Sequence, residues 1–321
     1  MAETLFFNDE LPPELMAAPR AFIEWSRKEL LREQAASTPM EPLYHYTDET
    51  ALQGILRSQA FWCFSYMQQK DPAEFEYALG VGMDVLRRQR ESNDFFKRHF
   101  AECVIDMLQV NNLSGPFEFY LFSVSRHRDH GPQWWAYGHA GTGYAIGLSP
   151  VLFQPDKDDL YEEANKNLHI GRVVYGDGPT AARHELSVRN AADITSRVGW
   201  DHGRLMREFG TTCLRVMAHE LLASQMIWNC LTAKELRFED EREVRGIVMN
   251  VHAKFDPWRR NHAGRDYIEH GLPLKEPGSI TEILVGPDAA PDAEARVHAM
   301  LRAEGYPLTI PVRRSRGVSA S

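Results

Sequence analysis

The strand-like segments of this sequence are spread unevenly among helix-like segments, and this spacing constrains the fold more than any other feature. β-Branched and aromatic residues predict strands at residues 43–47, 61–65, 117–125, 143–148, 172–175, 242–251 and 279–285. Apolar residues at helical spacing predict helices at residues 14–34, 204–234 and after Pro291, and a mainly helical stretch at 71–110. No regular alternation of strand and helix runs along the chain, which disfavours a doubly wound sheet. We therefore expect an α+β fold with a mixed or split antiparallel β-sheet and large helical insertions.

The sequence contains no feature that marks a boundary between large domains. We find neither an internal repeat nor a low-complexity linker, and the first predicted helix is followed by Pro39 and Pro42. We therefore expect residues 1–40 to form an N-terminal helical extension and residues 41–321 to form a single α+β domain.

The composition excludes several classes of protein. Hydrophobic residues make up 43% of the chain and charged residues 25%, which is the balance of a globular protein with a substantial core. The formal net charge of −9 argues against general nucleic-acid binding, because such binding depends on Lys and Arg. The first residues are acidic, and no apolar run approaches the roughly 20 residues that span a bilayer. We expect no membrane partner and a cytoplasmic location.

Cysteine and histidine spacing gives no metal site. The sequence has four widely separated cysteines and no CxxC pair: Cys63, Cys103, Cys213 and Cys230. These are expected to be buried thiols in a reducing compartment. His219 begins a segment similar to a zinc-protease helix, but Ala223 occupies the position that would need a second histidine. We therefore expect no metal.

A histidine between two tyrosines marks the segment that we expect to carry chemistry. His45 lies between Tyr44 and Tyr46 in the first predicted strand, and Asp48 is placed to cap the helix that follows. His45 is a candidate catalytic residue. The alternative is an interior histidine whose ring nitrogens bond only the backbone.

A second group of polar residues lies far downstream, in the predicted strand at residues 242–251 and just before it. Glu241, Glu243 and Arg245 alternate along the sequence, so we expect their side chains to share one face of the sheet. They are candidates for a carboxylate site with an adjacent cation. The alternative is a salt-bridged sheet surface without a role in catalysis.

The order of several short motifs resembles an uncharacterised bacterial family, domain of unknown function 2971. Members share a His-Tyr opening, an Asp-Pro-x-Glu element, a Trp-x-x-Tyr segment before a Gly-rich strand, and a Glu-x-Glu strand followed by Arg. These are matched by His45 and Tyr46, by Asp71, Pro72 and Glu74, by Trp134, Tyr137, Gly141 and Gly143, and by Glu241, Glu243 and Arg245. With residues 283–287, the resemblance covers most of the chain from about residue 41 onward.

The opening strand, helix and second strand also resemble the start of NAD-dependent ADP-ribosyltransferases, a glycosyltransferase class of enzyme. This resemblance implies that His45 bonds the ribose or the carboxamide of NAD. It also implies that Tyr46 or Tyr66 stacks on nicotinamide, and that Glu243 or Glu241 holds the ribose 2′-hydroxyl. The other implied contacts to NAD are Thr47, Ser65, Trp135, Tyr137 and Arg245.

Two functions follow as expectations from these residues and resemblances. The first is an NAD-dependent enzyme that modifies an unknown macromolecular acceptor, with a role in bacterial defence or toxicity. A carboxylate suits this chemistry, because it stabilises the oxocarbenium character that develops when the glycosidic bond breaks. The second is a non-catalytic nucleotide-binding or protein-interaction module with the same fold.

Overall fold

The computed structural model describes residues 11–68, 73–110, 117–154, 168–251 and 256–317. Asp71 and Pro72, which match a family motif, lie outside the described residues. The chain divides into two compact units, each assembled from three segments. A helical unit contains the described parts of Met1–Glu33, Lys70–Phe117 and Val174–Arg237, and a sheet unit contains those of Gln34–Gln69, Glu118–Val173 and Phe238–Ser321. The expected single domain from residue 41 onward stays a prediction.

The helices lie mostly in the helical unit. In chain order they are α1 (Pro13–Ser37), α2 (Glu49–Ser58), α3 (Ala73–Arg90), α4 (Phe95–Val110), α5 (Gly131–Ala136), α6 (Asp177–Asp201), α7 (Gly203–Leu221), α8 (Ile227–Leu231) and α9 (Ala293–Ala303). A π-helical turn, Leu222–Met226, joins α7 to α8. None of the helices in the described ranges is long and apolar enough to span a bilayer. The cytoplasmic location stays a prediction.

The strands build one large sheet and one short pair. They are β1 (Leu43–Thr47), β2 (Ala60–Ser65), β3 (Phe117–Ser125), β4 (Tyr144–Leu148), β5 (Leu168–Arg172), β6 (Val174–Tyr175), β7 (Ala233–Lys234), β8 (Glu243–Val251), β9 (Arg260–His262), β10 (Arg265–Gly271), β11 (Ile280–Val285) and β12 (Val312–Arg314). The large sheet has the order β12-β11-β4-β1-β3-β2-β10-β9, while β8 pairs with β3 and β5. Most of these pairs are antiparallel, and β11 with β12 is parallel. The α+β fold is confirmed.

The sheet unit is held together by a core that α2 helps to form. Asp48 caps this helix, because its side chain accepts a hydrogen bond of 2.8 Å from the amide of Ala51. Leu52, Ile55 and Leu56, spaced for one helical face, are all buried against the sheet. The cap that the sequence predicts is confirmed, and the buried face joins α2 to the core of the sheet unit.

The structure differs from the predicted secondary structure in three places. The helix α6 is not predicted, because its buried positions are mainly small or polar residues that give no apolar periodicity. The segment before residue 279, where the sequence predicts no strand, contains β9 and β10; all three residues of β9 are exposed, so it lacks the alternation of a half-buried strand. The predicted helix at residues 204–234 is interrupted by the π-helical turn and ends at Leu231.

A buried histidine makes the stability of the helical unit depend on pH. His184 in α6 has no exposed surface, and burial lowers the pKa of its ring from 6.5 to about 4. The unfolded chain therefore binds more protons between these two values, so the free energy of unfolding falls as the pH drops through this window. Between pH 7 and pH 5 we expect wild type to lose about 2 kcal/mol more than His184→Leu. Urea unfolding at both pH values measures this difference, and equal losses would contradict it.

Candidate functional site

The large sheet divides at β3, and a serine lies at the division. A strand has two hydrogen-bonding edges, but β3 pairs with β1, β2 and β8, so two of these must share one edge. β2 pairs with β3 at Tyr120 and Leu121, whereas β1 pairs with it at Ser125. Ser123 lies between these registers and is exposed. Residues from β1 and β8 contact β3 at this serine.

His45 projects from β1 onto this division. Its Nδ1 lies 3.1 Å from the carbonyl oxygen of Ser123, and the edge of its ring packs against Phe61 with centroids 5.0 Å apart. A carbonyl oxygen only accepts, so Nδ1 carries the proton and Nε2 is left as an acceptor. Burial also lowers the pKa of His45 below its ordinary 6.5. The neutral ring can thus accept a hydrogen bond from a ligand hydroxyl.

Glu243 meets the same serine through its side chain. Its Oε1 accepts hydrogen bonds from the hydroxyl of Ser123 and, at 2.9 Å, from Nε of Arg245, while its Oε2 accepts one of 3.1 Å from Nη2 of Arg245. The side chains of Glu243 and Arg245 are only 9% and 7% exposed. Their expected position on one face is confirmed. Ser123 therefore links His45 to Glu243, through its carbonyl oxygen on one side and its hydroxyl on the other.

Glu241 lies in the turn before β8, so it does not follow the alternation that we expect for Glu241, Glu243 and Arg245. It ends a 3-10 turn, Leu236–Glu241, and Arg242 adopts a left-handed conformation with φ of 42° before β8 begins. This turn removes Glu241 from the alternation that Glu243 and Arg245 follow. Its carboxylate accepts a hydrogen bond of 3.1 Å from the hydroxyl of Tyr137 instead.

Tyr46 and Thr47 support the site from within the sheet. Tyr46 is buried, packs edge-on against Trp134 at 4.9 Å, and donates a hydrogen bond of 3.0 Å to the carbonyl oxygen of His127. Burial raises the pKa of its hydroxyl. Since Tyr46 follows His45 on β1, the two rings point to opposite faces. Thr47 is also buried and pairs with Tyr144 on β4.

The remaining predicted contacts lie on β2, on the 3-10 turn that follows it, and on α5. Ser65 ends β2, and Tyr66 begins the 3-10 turn that follows; both are buried, and the ring of Tyr66 packs edge-on against Phe119. Trp135 and Tyr137 lie on α5 and at its end, and both are exposed. Of the ten predicted residues, Glu243 contacts Arg245 directly and Tyr137 contacts Glu241 directly, while Ser123 connects Glu243 to His45.

Ser123 is the member of this site that the sequence analysis misses. It is the residue that both His45 and Glu243 contact, yet it stands alone within an apolar strand. Ser123 and Ser125 alternate with Phe122 and Val124 in the sequence, which indicates a strand with one polar face. The pattern does not say which distant residues meet that face.

Comparisons with known proteins cover part of the chain. Residues 133–246 match the model of a family described as protein of unknown function (DUF2971). This segment includes Trp135, Tyr137, Glu241, Glu243 and Arg245, while His45 and Ser123 precede it. Neither the curated proteins nor the solved structures contain a significant match. The match supports membership of residues 133–246 in an uncharacterised domain family.

Proposed function

We propose that this chain is an NAD-dependent enzyme of the ADP-ribosyltransferase-like kind. The observation that carries the proposal is the link through Ser123, which joins a neutral imidazole acceptor to an oriented carboxylate. In this proposal His45 accepts a hydrogen bond from a ribose hydroxyl, and Glu243 faces the anomeric carbon.

The proposed reaction breaks the bond between the ribose anomeric carbon and the nicotinamide nitrogen. The bonding electron pair leaves with nicotinamide, which becomes neutral, and positive charge develops on the sugar. A carboxylate held in place before the reaction stabilises that charge without reorganisation. Arg245 and Ser123 supply this orientation, since each donates to the carboxylate of Glu243. An acceptor nucleophile then bonds to the anomeric carbon and loses its proton.

Nicotinamide release from NAD by the purified protein tests the proposal. We expect Glu243→Gln to lower the rate by about 10²-fold, because the amide keeps the shape of the carboxylate and loses its charge. Release is measured with and without cell extract, which supplies the macromolecular acceptor. A role in bacterial defence or toxicity belongs to the same proposal and depends on that acceptor.

Glu282→Gln is the matched control for this variant. Glu282 is also buried in the sheet unit, and it also accepts two hydrogen bonds from one arginine, Arg128, at 2.7 Å each. The substitution Glu282→Gln therefore removes the charge from an equivalent ion pair that does not include Ser123. Equal rates for the two variants, or no release by the wild-type protein under either condition, would contradict the enzymatic proposal.

The second candidate is a nucleotide-binding module without catalysis. One observation favours it: Arg245 bonds both carboxylate oxygens of Glu243, which offsets the charge that the reaction would use. This candidate predicts that NAD binds and that no nicotinamide is released. Calorimetric titration with NAD, on the protein used for the release assay, distinguishes the two candidates.

The protonation of His45 should set the lower pH limit for NAD binding. Nε2 accepts a hydrogen bond only while the ring is neutral, and burial holds its pKa below 6.5. We expect the dissociation constant for NAD to stay level from pH 8 to pH 6.5 and to rise below that range. His45→Gln should bind more weakly at pH 8 and lack this dependence on pH. A parallel pH profile in wild type and variant would contradict the role of His45.

A further inference from the structure

An apolar groove of about 840 Å³ lies beside α5 in the sheet unit. Its walls include Pro132, Trp134 and Trp135 from α5, together with Pro287 and Asp288 from the segment after β11. Trp134 is almost fully buried, whereas Trp135 is 72% exposed. The indole ring of Trp135 is therefore the exposed aromatic surface of the groove.

Asp288 is the single charged residue among those that line the groove. It is exposed, and its carboxylate has no ion-pair or hydrogen-bond partner within the described part of the chain. Its position depends on Gly141, whose φ is 84°: a Cβ atom there would lie 2.6 Å from Oδ2 of Asp288. Its backbone amide is fixed by a hydrogen bond of 3.0 Å to the carbonyl oxygen of Gly141. A free carboxylate is therefore held in an apolar wall.

The helix α5 lies between the groove and two sequence neighbours of the proposed site, Tyr46 and Glu241. Trp134 packs against Tyr46, the residue after His45, and Tyr137 at the end of α5 donates to the carboxylate of Glu241. A chain segment that occupied the groove would therefore lie close to the residues around β1 and the start of β8.

We propose that this groove binds a cationic side chain of a protein, with arginine as its occupant. A guanidinium group is planar and weakly hydrated, stacks on an indole ring, and pairs with a carboxylate. Trp135 supplies the ring and Asp288 the carboxylate. The inference rests on the proposed function for one point, that the bound protein is the acceptor. It also assigns Trp135 to the acceptor rather than to NAD.

Binding can be followed without NAD at a single residue. Each of the seven tryptophans gives a fluorine NMR resonance when the protein is labelled with 5-fluorotryptophan, and the loss of one resonance in Trp135→Phe assigns that of Trp135. The probe is acetyl-Gly-Arg-Gly-amide, and its citrulline counterpart is the neutral isostere. Trp200 and Trp258, which are also exposed, serve as internal controls.

We expect the arginine peptide to shift the Trp135 resonance in a saturable way and to leave those of Trp200 and Trp258 in place. The citrulline peptide should bind at least about threefold more weakly, because it lacks the charge. Asp288→Asn should weaken binding by a similar factor, whereas Asp201→Asn, an exposed carboxylate in α6, should not. The inference fails if no saturable shift occurs, if both peptides bind equally, or if the two Asp variants behave alike. Nicotinamide release, measured separately, reports on the proposed reaction and not on this groove.

Discussion

Arg245→Met should lower the free energy of unfolding by about 3–5 kcal/mol, because the substitution removes the guanidinium that pairs with the buried carboxylate of Glu243. Methionine keeps the length and apolar stem of arginine, so little packing is lost. Only the hydroxyl of Ser123 would remain of the three hydrogen bonds described above. Urea unfolding of the purified variant measures the loss.

The double variant Glu243→Leu with Arg245→Met is the control for this interpretation. It removes both buried charges, and apolar replacements of a buried ion pair are often neutral for stability. We therefore expect it to recover most of the stability that Arg245→Met loses. If the losses of the two single variants simply add in the double variant, the two side chains are not coupled and the ion pair is not the cause.

Gly143→Ala should cost about 3 kcal/mol, since a methyl group at this position meets backbone atoms that cannot move aside. A Cβ atom there would lie far inside van der Waals contact with the carbonyl oxygen of Thr47, and 2.8 Å from that of Gly138. The carbonyl oxygen of Gly138 also accepts a hydrogen bond of 2.9 Å from the amide of Gly143, which closes the turn between these two residues. Thermal unfolding measures the loss.

Gly54→Ala is the matched control for the backbone effect. Gly54 lies within α2 of the same unit, and a Cβ atom there has no neighbour within 4 Å. Alanine in a helix interior is favoured over glycine by about 0.5–1 kcal/mol, so this variant should be more stable than wild type. If Gly143→Ala is as stable as wild type, the close approach of Thr47 does not constrain this turn.

The sequence predicts those parts of the fold that have a local cause. Asp48 caps α2, and the spacing of Leu52, Ile55 and Leu56 defines its buried face, so both are visible within a few residues. The helix α6 lacks such a local signal, because its buried positions are mainly threonine, serine and alanine. Larger apolar side chains at these positions would have indicated an amphipathic helix. The neighbours that make those small residues suitable lie elsewhere in the chain.

The same distinction separates the predicted part of the site from the missed part. Glu243 and Arg245 are two residues apart on a strand, so alternation alone predicts that they meet. The contact of His45 with Ser123 depends on how β1, β2 and β3 pair, which no short segment determines. The sequence does not predict that Glu241 departs from this alternation, because the left-handed conformation of Arg242 has no marker in the sequence.

The segments of the two units alternate along the chain, so a simple truncation cannot separate one unit from the other. Two of the three segments of the helical unit lie between segments of the sheet unit: Lys70–Phe117 and Val174–Arg237. The last segment of the sheet unit runs to the end of the chain. A truncation at any one of these junctions therefore removes strands together with helices. A recombinant fragment that isolates either unit would need its segments rejoined by new linkers, so point substitutions are the cleaner means of testing each unit.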